Sequence, residues 1–560
     1  MRASTALSLA LMLALVAVAC APVQIEPPPP PTEPIRSAPL SPVTYHVRPD
    51  GGDYAQCTGL VDAPYPGSGT NRPCAWDHPF RALPPEGLPR IAGGDTLTVG
   101  AGSYQMGLSA PGADVCETDY PWDCHMPSLP SGPDADHPTR LLGAGWDTGC
   151  ADPPELWGTE RALTVLDLTN SDHVVVACLK ITDHAGCAED HTGGLACERQ
   201  RYPYGPWADT GLYAEDATDV TLRDLDIHGL ASAGVRAGRI SDWTTEDVRI
   251  AANGWVGWEG DIDGDDANSG SLIFRRWTVE WNGCVESYPD GEPTGCWGQT
   301  AGGYGDGVGT GETGGNWLIE DAAFLNNTSD GLDLLYTRVP GSSITIRRTI
   351  ARGNAGNQIK TNGPTLIENT LIVGNCGAFE GRPYTHQVDA CRAYGNALAL
   401  AVQPGDHVTV TNTTITGQGD CLVEVICEGR CTGSEAARFR NTIFRGQDDL
   451  TSSDERTCLI YQDGFSTDPL DLDYSILHHV KDGPCPVGPH NICQAPGLVD
   501  EAIDAFDAHL LPTSPAIDAG YPDGAPPDDL DGLPRSDLPD IGAYEGGAPE
   551  ARLYVPMVGH

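Results

Sequence analysis

The chain has 560 residues, of which 68 are Gly and only 8 are Phe, and its formal net charge is −46 at neutral pH. This charge excludes nucleic acid as a direct partner and opposes binding of an acidic polysaccharide unless a cation lies between the two. Frequent Asn, Asp and Thr beside short Val, Ile and Leu runs favours short strands and tight turns over helices.

The N-terminus has the features of an export signal. Arg2 supplies a positive charge, and the apolar run over 6–19 is too short to span a bilayer. The run ends AVAC, and this stretch resembles the lipobox of bacterial lipoproteins, although Ala17 stands where that family prefers Leu or Val. The resemblance implies lipidation of Cys20 and a protein that is secreted or held at the cell surface. Cleavage without lipidation is the alternative.

Cysteine usage also fits an exported chain. Setting Cys20 aside leaves an even 18 of the 19 cysteines, and most of them lie in closely spaced pairs. Such spacing favours disulfides that close local loops. Proximity predicts the pairs Cys57–Cys74, Cys116–Cys124, Cys187–Cys197, Cys284–Cys296, Cys376–Cys391 and Cys485–Cys493.

A short phrase recurs through most of the chain: a β-branched residue, a polar pair, an aliphatic residue, and then Asn or Gly. Examples are WTTEDVRIAANG (243–254), FRRWTVEWNG (274–283), LIEDAAFLNN (318–327), ITIRRTIARGN (344–354) and TLIENTLIVGN (365–375). Neighbouring copies are separated by about 20 to 44 residues, and the shorter intervals match one turn of a β-solenoid. A β-propeller is the alternative, but it would need a steady period near 40 residues, and the intervals in this chain vary. The pattern therefore predicts an all-β parallel coil whose rungs stack their aliphatic residues.

Both ends of the coil resemble known proteins. DTLTVGAGSYQMG (95–107) resembles the opening rung of secreted right-handed parallel β-helix proteins, and SPAIDAG with DIGAYE (514–545) resembles the closing segment of many secreted bacterial ones. The resemblance implies a right-handed parallel β-helix with disulfide-pinned loop insertions and a C-terminal segment that caps the open end. The acids of that segment could hold a calcium ion or serve the cap without metal: Asp528, Asp529, Asp531 and Asp540.

These features divide the chain into six parts. The predicted parts are a signal peptide at 1–19, a Pro-rich linker at 20–43, an N-terminal cap with the first rungs at 44–110, the parallel β-helix at 111–495, the C-terminal cap at 496–548 and a tail at 549–560.

Candidate chemistry concentrates in one glycine-rich stretch, 302–363. Asp306 and Asp330 lie 24 residues apart, Asp333 follows closely, and Lys360 comes 30 residues after Asp330. Because neighbouring strands of a coil lie about 4.8 Å apart, we expect these four residues on one wall. Three carboxylates that converge are suitable ligands for calcium.

The segments SDGLD and, one turn later, GNQIKTNG resemble the pectate lyases of polysaccharide lyase family nine, which are right-handed β-helices. The resemblance implies that Asp306, Asp330 and Asp333 bind calcium and that Lys360 is the base of a β-elimination. Ser329 stands where the family has a fourth aspartate. The implied substrate is a uronate polymer such as pectate.

Two functions follow from these residues. A lyase needs the pKa of its lysine base well below about 10.4, and we expect calcium and the arginines of the adjoining rung, Arg347, Arg348 and Arg352, to lower it. The alternative is a non-catalytic β-helix adhesin or carbohydrate-binding surface protein, since Asp-Gly and Asn-Gly also form ordinary turns. Either function implies a polysaccharide partner, no nucleic acid, membrane contact only through a lipid at Cys20, and a monomer.

Overall fold

The computed structural model describes residues 41–546 except 117–123, 160–161, 190, 192–194, 198–204, 206, 266, 290, 299–303, 376, 387–394, 451–454, 482–484 and 486–487. Regular structure in these ranges is almost entirely β, with short 3-10 helices at Pro79–Arg81 and Ile503–Ala505. None of the helices in the described ranges has the length and apolarity that a membrane crossing requires. Cys20, the predicted signal peptide and the predicted tail lie outside the described residues.

The strands wind into a coil with three walls, and each wall is a stack of parallel strands. Wall one contains β1 (Thr44–Gly52), β2 (Thr96–Val99), β4 (Thr139–Gly143), β7 (Val174–Thr182), β9 (Val220–His228), β11 (Ser241–Ala251), β13 (Ser269–Arg275), β19 (Asn316–Glu320), β22 (Ser343–Arg347), β25 (Thr365–Glu368), β29 (His407–Thr411), β32 (Ala436–Arg440) and β35 (Leu470–Leu472).

Wall two shares the long strands β7, β9 and β11 with wall one and continues with shorter ones. Its own strands are β3 (Ser103–Gln105), β5 (Glu155–Trp157), β14 (Thr278–Glu280), β20 (Ala323–Leu325), β23 (Ile350–Arg352), β26 (Leu371–Gly374), β30 (Thr414–Gly417), β33 (Ile443–Gly446) and β36 (Ile476–His478).

Wall three is a separate sheet of ten parallel strands. It contains β6 (Thr164–Asp167), β8 (Thr210–Glu215), β10 (Ala233–Gly238), β12 (Val256–Asp265), β18 (Val308–Glu312), β21 (Leu332–Leu334), β24 (Ile359–Asn362), β28 (Leu398–Val402), β31 (Cys421–Cys427) and β34 (Cys458–Asp463). Two strand pairs lie in the loops, and one lies in the C-terminal segment: β15 (Val285–Ser287) with β16 (Glu292–Thr294), β17 (Cys296–Trp297) with β27 (Thr385–His386), and β37 (Leu498–Asp500) with β38 (Asp507–Leu510).

The core fills the coil because alternate residues of each strand point inward. On wall one, directly paired residues of successive strands form a column of fully buried side chains: Phe274, Ile319, Ile346, Ile367, Val410 and Phe439. The predicted fold class, a parallel β-helix with disulfide-pinned loops, is therefore confirmed.

The Asn that ends each recurring phrase has a defined place at the corner between walls two and three. Asn253, Asn282, Asn327 and Asn354 are completely buried and stack on one another. Each Nδ2 donates to the next Oδ1, over 2.9, 2.9 and 2.8 Å. This ladder satisfies buried polar groups at the corner before the wall-three strands β12, β18, β21 and β24.

Local disulfides close many of the loops, as the cysteine spacing predicts. Five predicted pairs are present: Cys57–Cys74, Cys116–Cys124, Cys187–Cys197, Cys284–Cys296 and Cys485–Cys493. Both cysteines of the sixth, Cys376–Cys391, lie outside the described residues. Three further pairs join cysteines for which the spacing gave no prediction: Cys150–Cys178, Cys421–Cys458 and Cys427–Cys431.

The C-terminal segment forms a separate layer along the side of the coil. Its predicted role as a cap on the open end stays a prediction. The segment covers outward-facing aliphatic residues of wall two, among them Leu371, Ile443 and Ile476, with Phe506 and Ile541. The segment packs at this place because wall two presents apolar side chains on its outer face as well as its inner face. Without the segment, those outer side chains would be exposed to water.

Candidate functional site

The four residues singled out in the sequence converge near the start of three successive strands of wall three. Asp306 and Asp330 lie two residues before the paired residues Val308 and Leu332 of β18 and β21. Asp333 lies in β21, between the inward-facing Leu332 and Leu334, and so points outward. Lys360 of β24 is its direct partner on the next strand.

The three carboxylates form a compact buried group. One oxygen from each of Asp306, Asp330 and Asp333 lies within 4.8 Å of the other two. Their residues are 2%, 1% and 8% exposed. Calcium binds oxygen at about 2.3–2.6 Å, so two ligands of one ion lie about 5 Å apart or less. The carboxylate group meets that limit.

Lys360 is bound to the same group. Its Nζ donates to Oδ2 of Asp330 and to Oδ2 of Asp333, each over 2.8 Å. Burial acts to lower the pKa of Lys360, but the charges of the aspartates outweigh it and raise this pKa above its ordinary value. The expected lowering of the lysine pKa is therefore not found in this arrangement, in which Lys360 is protonated.

The group carries more negative than positive charge. Burial, with the neighbouring charges of Asp330 and Asp333, raises the pKa of Asp306 to about 7. Burial also raises the pKa of Asp333, although Lys360 opposes this. Ionisation of all three carboxylates beside one ammonium would leave an excess of two negative charges in a buried place, which is costly without a counterion. The donor set therefore fits a divalent cation.

Gly309 keeps the outer side of the group open. This residue is the partner of Asp333 on the preceding strand. A Cβ at Gly309 would lie 3.1 Å from Oδ2 of Asp306 and would crowd that oxygen. Glycine here leaves room beside the carboxylates for a ligand.

The carboxylates also brace successive rungs. Oδ1 of Asp306 accepts the backbone N–H of Asp330 over 2.9 Å, and Oδ1 of Asp330 accepts the backbone N–H of Asn357 over 2.6 Å. The side-chain Nδ2 of Asn357 donates to that same oxygen over 3.1 Å. The sequence interpretation missed Asn357, although it stands one rung after Asp330 in the quoted segment GNQIKTNG. Ser329, at the position of the family's fourth aspartate, is completely buried.

The arginines that we expected beside Lys360 lie elsewhere. Arg347 and Arg348 pair with Glu320 on the outside of wall one and at its corner. Arg352 of wall two donates to backbone carbonyls of the C-terminal segment, including that of Asp504 over 2.8 Å. The prediction was wrong because each rung contributes strands to three walls, so residues a few positions earlier on the rung face another side of the coil.

The acids of the C-terminal segment do not assemble a second cluster. Asp529 and Asp540 use their carboxylates on backbone N–H groups of their own segment, and Asp528 pairs with Arg348 over 3.0 Å. Within the described ranges, the aspartates of wall three are the one group of three acids placed to share a metal ion.

Among known proteins, no family model matches the chain, and no curated protein sequence matches it. Solved structures with a similar backbone include "pectate lyase Pel9A", at 12% identity and a TM-score of 0.37 over 90% of this chain and 96% of that one. An alginate lyase from Paenibacillus sp. str. FPU-7 has 13% identity and a TM-score of 0.31 over 68% of this chain and 93% of that one. A rhamnogalacturonan lyase has 11% identity and a TM-score of 0.32 over 82% of this chain and 91% of that one. These values carry no activity over to this chain.

Proposed function

We propose that this protein is a calcium-dependent polysaccharide lyase that cleaves a uronate polymer such as pectate by β-elimination. The observation that carries the proposal is the convergence of Asp306, Asp330 and Asp333 with Lys360 on the outer side of wall three. A buried group of hard oxygen ligands beside a lysine amine is suited to a proton abstraction assisted by a cation.

The three aspartates would hold the cation. When bound, calcium would supply positive charge beside the uronate carboxyl group and so acidify the proton on the adjacent ring carbon. The positive charge of calcium would also reduce the repulsion between an acidic protein and an acidic polymer, because the ion would lie between the two.

Lys360 would supply the base. In the reaction the C–H bond breaks and its proton goes to Nζ of Lys360, the electron pair forms a carbon–carbon double bond, and the glycosidic C–O bond breaks. The departing oxygen takes a proton from water. Nζ can accept the C–H proton only after it has lost its own proton to solvent. This loss requires release of its ion pairs with Asp330 and Asp333, because those carboxylates keep it protonated. Asn357 would keep Asp330 oriented through its two hydrogen bonds.

The decisive experiment is an absorbance assay of the purified full chain with polygalacturonate and calcium at alkaline pH. The unsaturated product absorbs in the ultraviolet, so a steady rise is expected. Absence of product with polygalacturonate, alginate and rhamnogalacturonan alike would contradict the lyase function.

A second candidate is a non-catalytic carbohydrate-binding protein. It is favoured by the contacts of Lys360, whose ammonium already satisfies two carboxylates, and by the carboxylate contacts to backbone N–H groups of successive rungs. These contacts alone explain why the residues are present. Binding of a uronate polymer without formation of unsaturated product would identify this function.

We also propose display at the cell surface through a lipid on Cys20. The eight disulfides of the described residues support an oxidising compartment. Cys20→Ala is expected to move the protein from the membrane fraction to the medium. Recovery of both forms in the medium would show that Cys20 carries no lipid.

A further inference from the structure

Two loops meet beside the candidate site and build a surface that the reaction above does not use. We name it the corner shelf and define it by Trp281, Trp297, Arg382, Tyr384 and His386. The loops are joined by the pairing of β17 with β27, in which Trp297 and His386 are direct partners. The disulfide Cys284–Cys296 holds the first loop closed.

The shelf has a buried base that reaches the carboxylate group. Phe379, Ala355 and the disulfide form a small buried cluster, against which Trp281 and Tyr384 pack. Ala355 precedes Gly356, where a Cβ would collide with Oδ1 of Asp330. The shelf is therefore anchored directly beside the proposed metal ligands.

Aromatic rings form the surface of the shelf. Trp297 stacks on His386 with ring centroids 6.1 Å apart and an interplanar angle of 26°. The rings of Trp281 and Tyr384 meet edge to face, with centroids 6.5 Å apart. His386 is exposed, and Trp281, Trp297 and Tyr384 are each partly exposed. Such rings can stack on the apolar face of a sugar.

The shelf also carries positive charge. The guanidinium of the exposed Arg382 lies 5.9 Å from the ring centroids of both Trp281 and Tyr384. It donates to the hydroxyl of Tyr384 over 2.8 Å and to the backbone carbonyl of Ala378. In the described part of the chain, neither Arg382 nor His386 forms an ion pair with a carboxylate. A cation without an acidic partner is notable in a chain with a net charge of −46.

We propose that the corner shelf is a second, calcium-independent binding site for acidic sugar units of the polymer. Aromatic rings would stack on the sugar, and Arg382 would pair with its carboxylate, the geometry for which a guanidinium is suited. The site holds a stretch of polyanion against an acidic protein while a neighbouring unit lies at the carboxylate group. The inference rests on the substrate class of the proposed function and not on bond cleavage.

Isothermal titration calorimetry of the full chain in EDTA tests the proposal, because the chelator removes calcium-dependent binding. The probes are hexamers of galacturonate and of mannuronate, with a neutral galactose hexamer for comparison. An acidic hexamer is expected to bind more tightly than the neutral one. Arg382→Gln should raise its Kd roughly tenfold or more, the loss of one charge-assisted contact.

Arg90→Gln is the matched control, since Arg90 is another exposed arginine over an aromatic ring, 4.4 Å from the ring centroid of Tyr54. It should leave the Kd unchanged, and circular dichroism should show that both variants are folded. The proposal is overturned if neither acidic hexamer binds in EDTA, or if Arg382→Gln and Arg90→Gln bind equally well. It is also overturned if Asp333→Asn weakens binding in EDTA as much as Arg382→Gln does. Loss of lyase activity in Asp333→Asn with shelf binding retained separates this site from the proposed reaction.

Discussion

Asp333 and Lys360 are direct partners on adjacent strands of wall three, and Nζ of Lys360 lies 2.8 Å from Oδ2 of Asp333. The same Nζ contacts Asp330 at the same distance. One ammonium thus joins two of three buried carboxylates. This pairing relates the proposed base to the proposed metal ligands and is the basis of the first two predictions.

Replacing Lys360 tests the proposed base. Lys360→Ala should lower kcat on polygalacturonate by about a hundredfold or more, because a positioned general base contributes about that much. The measurement is the initial rate of ultraviolet absorbance increase in calcium. Lys180→Ala is the control, since Lys180 is also half-buried on the outer face of the coil but lies outside wall three. If the wild type, Lys360→Ala and Lys180→Ala were equally active, Lys360 would not be the base.

Calcium should stabilise the wild-type protein through the carboxylate group. At a calcium concentration one hundred times Kd, binding adds about 2.7 kcal/mol to the free energy of unfolding, which raises Tm by a few degrees. Asp306→Asn and Asp333→Asn should each abolish that rise, measured by differential scanning calorimetry with calcium and with EDTA. Asp523→Asn, at an exposed aspartate of the C-terminal segment, should keep the full shift. A shift that survives in Asp333→Asn would show that calcium binds at another place.

The C-terminal segment should loosen at alkaline pH. His509 donates to Asp531, and it also contacts Asp507 over 2.6 Å; these two contacts raise its pKa to about 9. Because the folded pKa exceeds the unfolded value of about 6.5, the stabilisation is fully present below pH 6.5 and is lost as the pH rises through 9. Tm of the wild type should therefore fall more steeply between pH 6.5 and 9.5 than Tm of His509→Gln. If Tm changes with pH in the same way in both proteins, His509 does not make the stability of the C-terminal segment depend on pH.

Removing one amide of the asparagine ladder should destabilise the coil. Asn327→Ala leaves the buried backbone N–H of Asn282 without its acceptor. It also removes one hydrogen bond from each of the buried side chains of Asn282 and Asn354. Each unsatisfied group costs about 1–3 kcal/mol, so we expect a loss of about 3 kcal/mol, measured by urea denaturation. Asn316→Ala provides the control because Asn316 is exposed and bonds only at the surface. A similar midpoint for both variants would mean that the ladder contributes little.

Much of the candidate site could be predicted because the coil converts sequence spacing into position. Asp306, Asp330 and Asp333 are together, as their spacing near one rung indicates. The contribution of Asn357 was missed because an amide in a glycine-rich turn resembles any other turn residue. The corner shelf was not predictable at all. It depends on the pairing of Trp297 with His386, two residues from loops far apart in the chain.

The sequence alone determined the parallel coil, the rung length and most of the local disulfides, because alternation, turn residues and cysteine proximity are properties of neighbouring residues. Only the tertiary structure decided which side chains meet between rungs. It placed Arg347, Arg348 and Arg352 on other walls and set the C-terminal segment along wall two. It also gave Lys360 two carboxylate partners that raise its pKa instead of lowering it. The reason is that burial and charge depend on all the rungs around a residue, and no single rung contains that information.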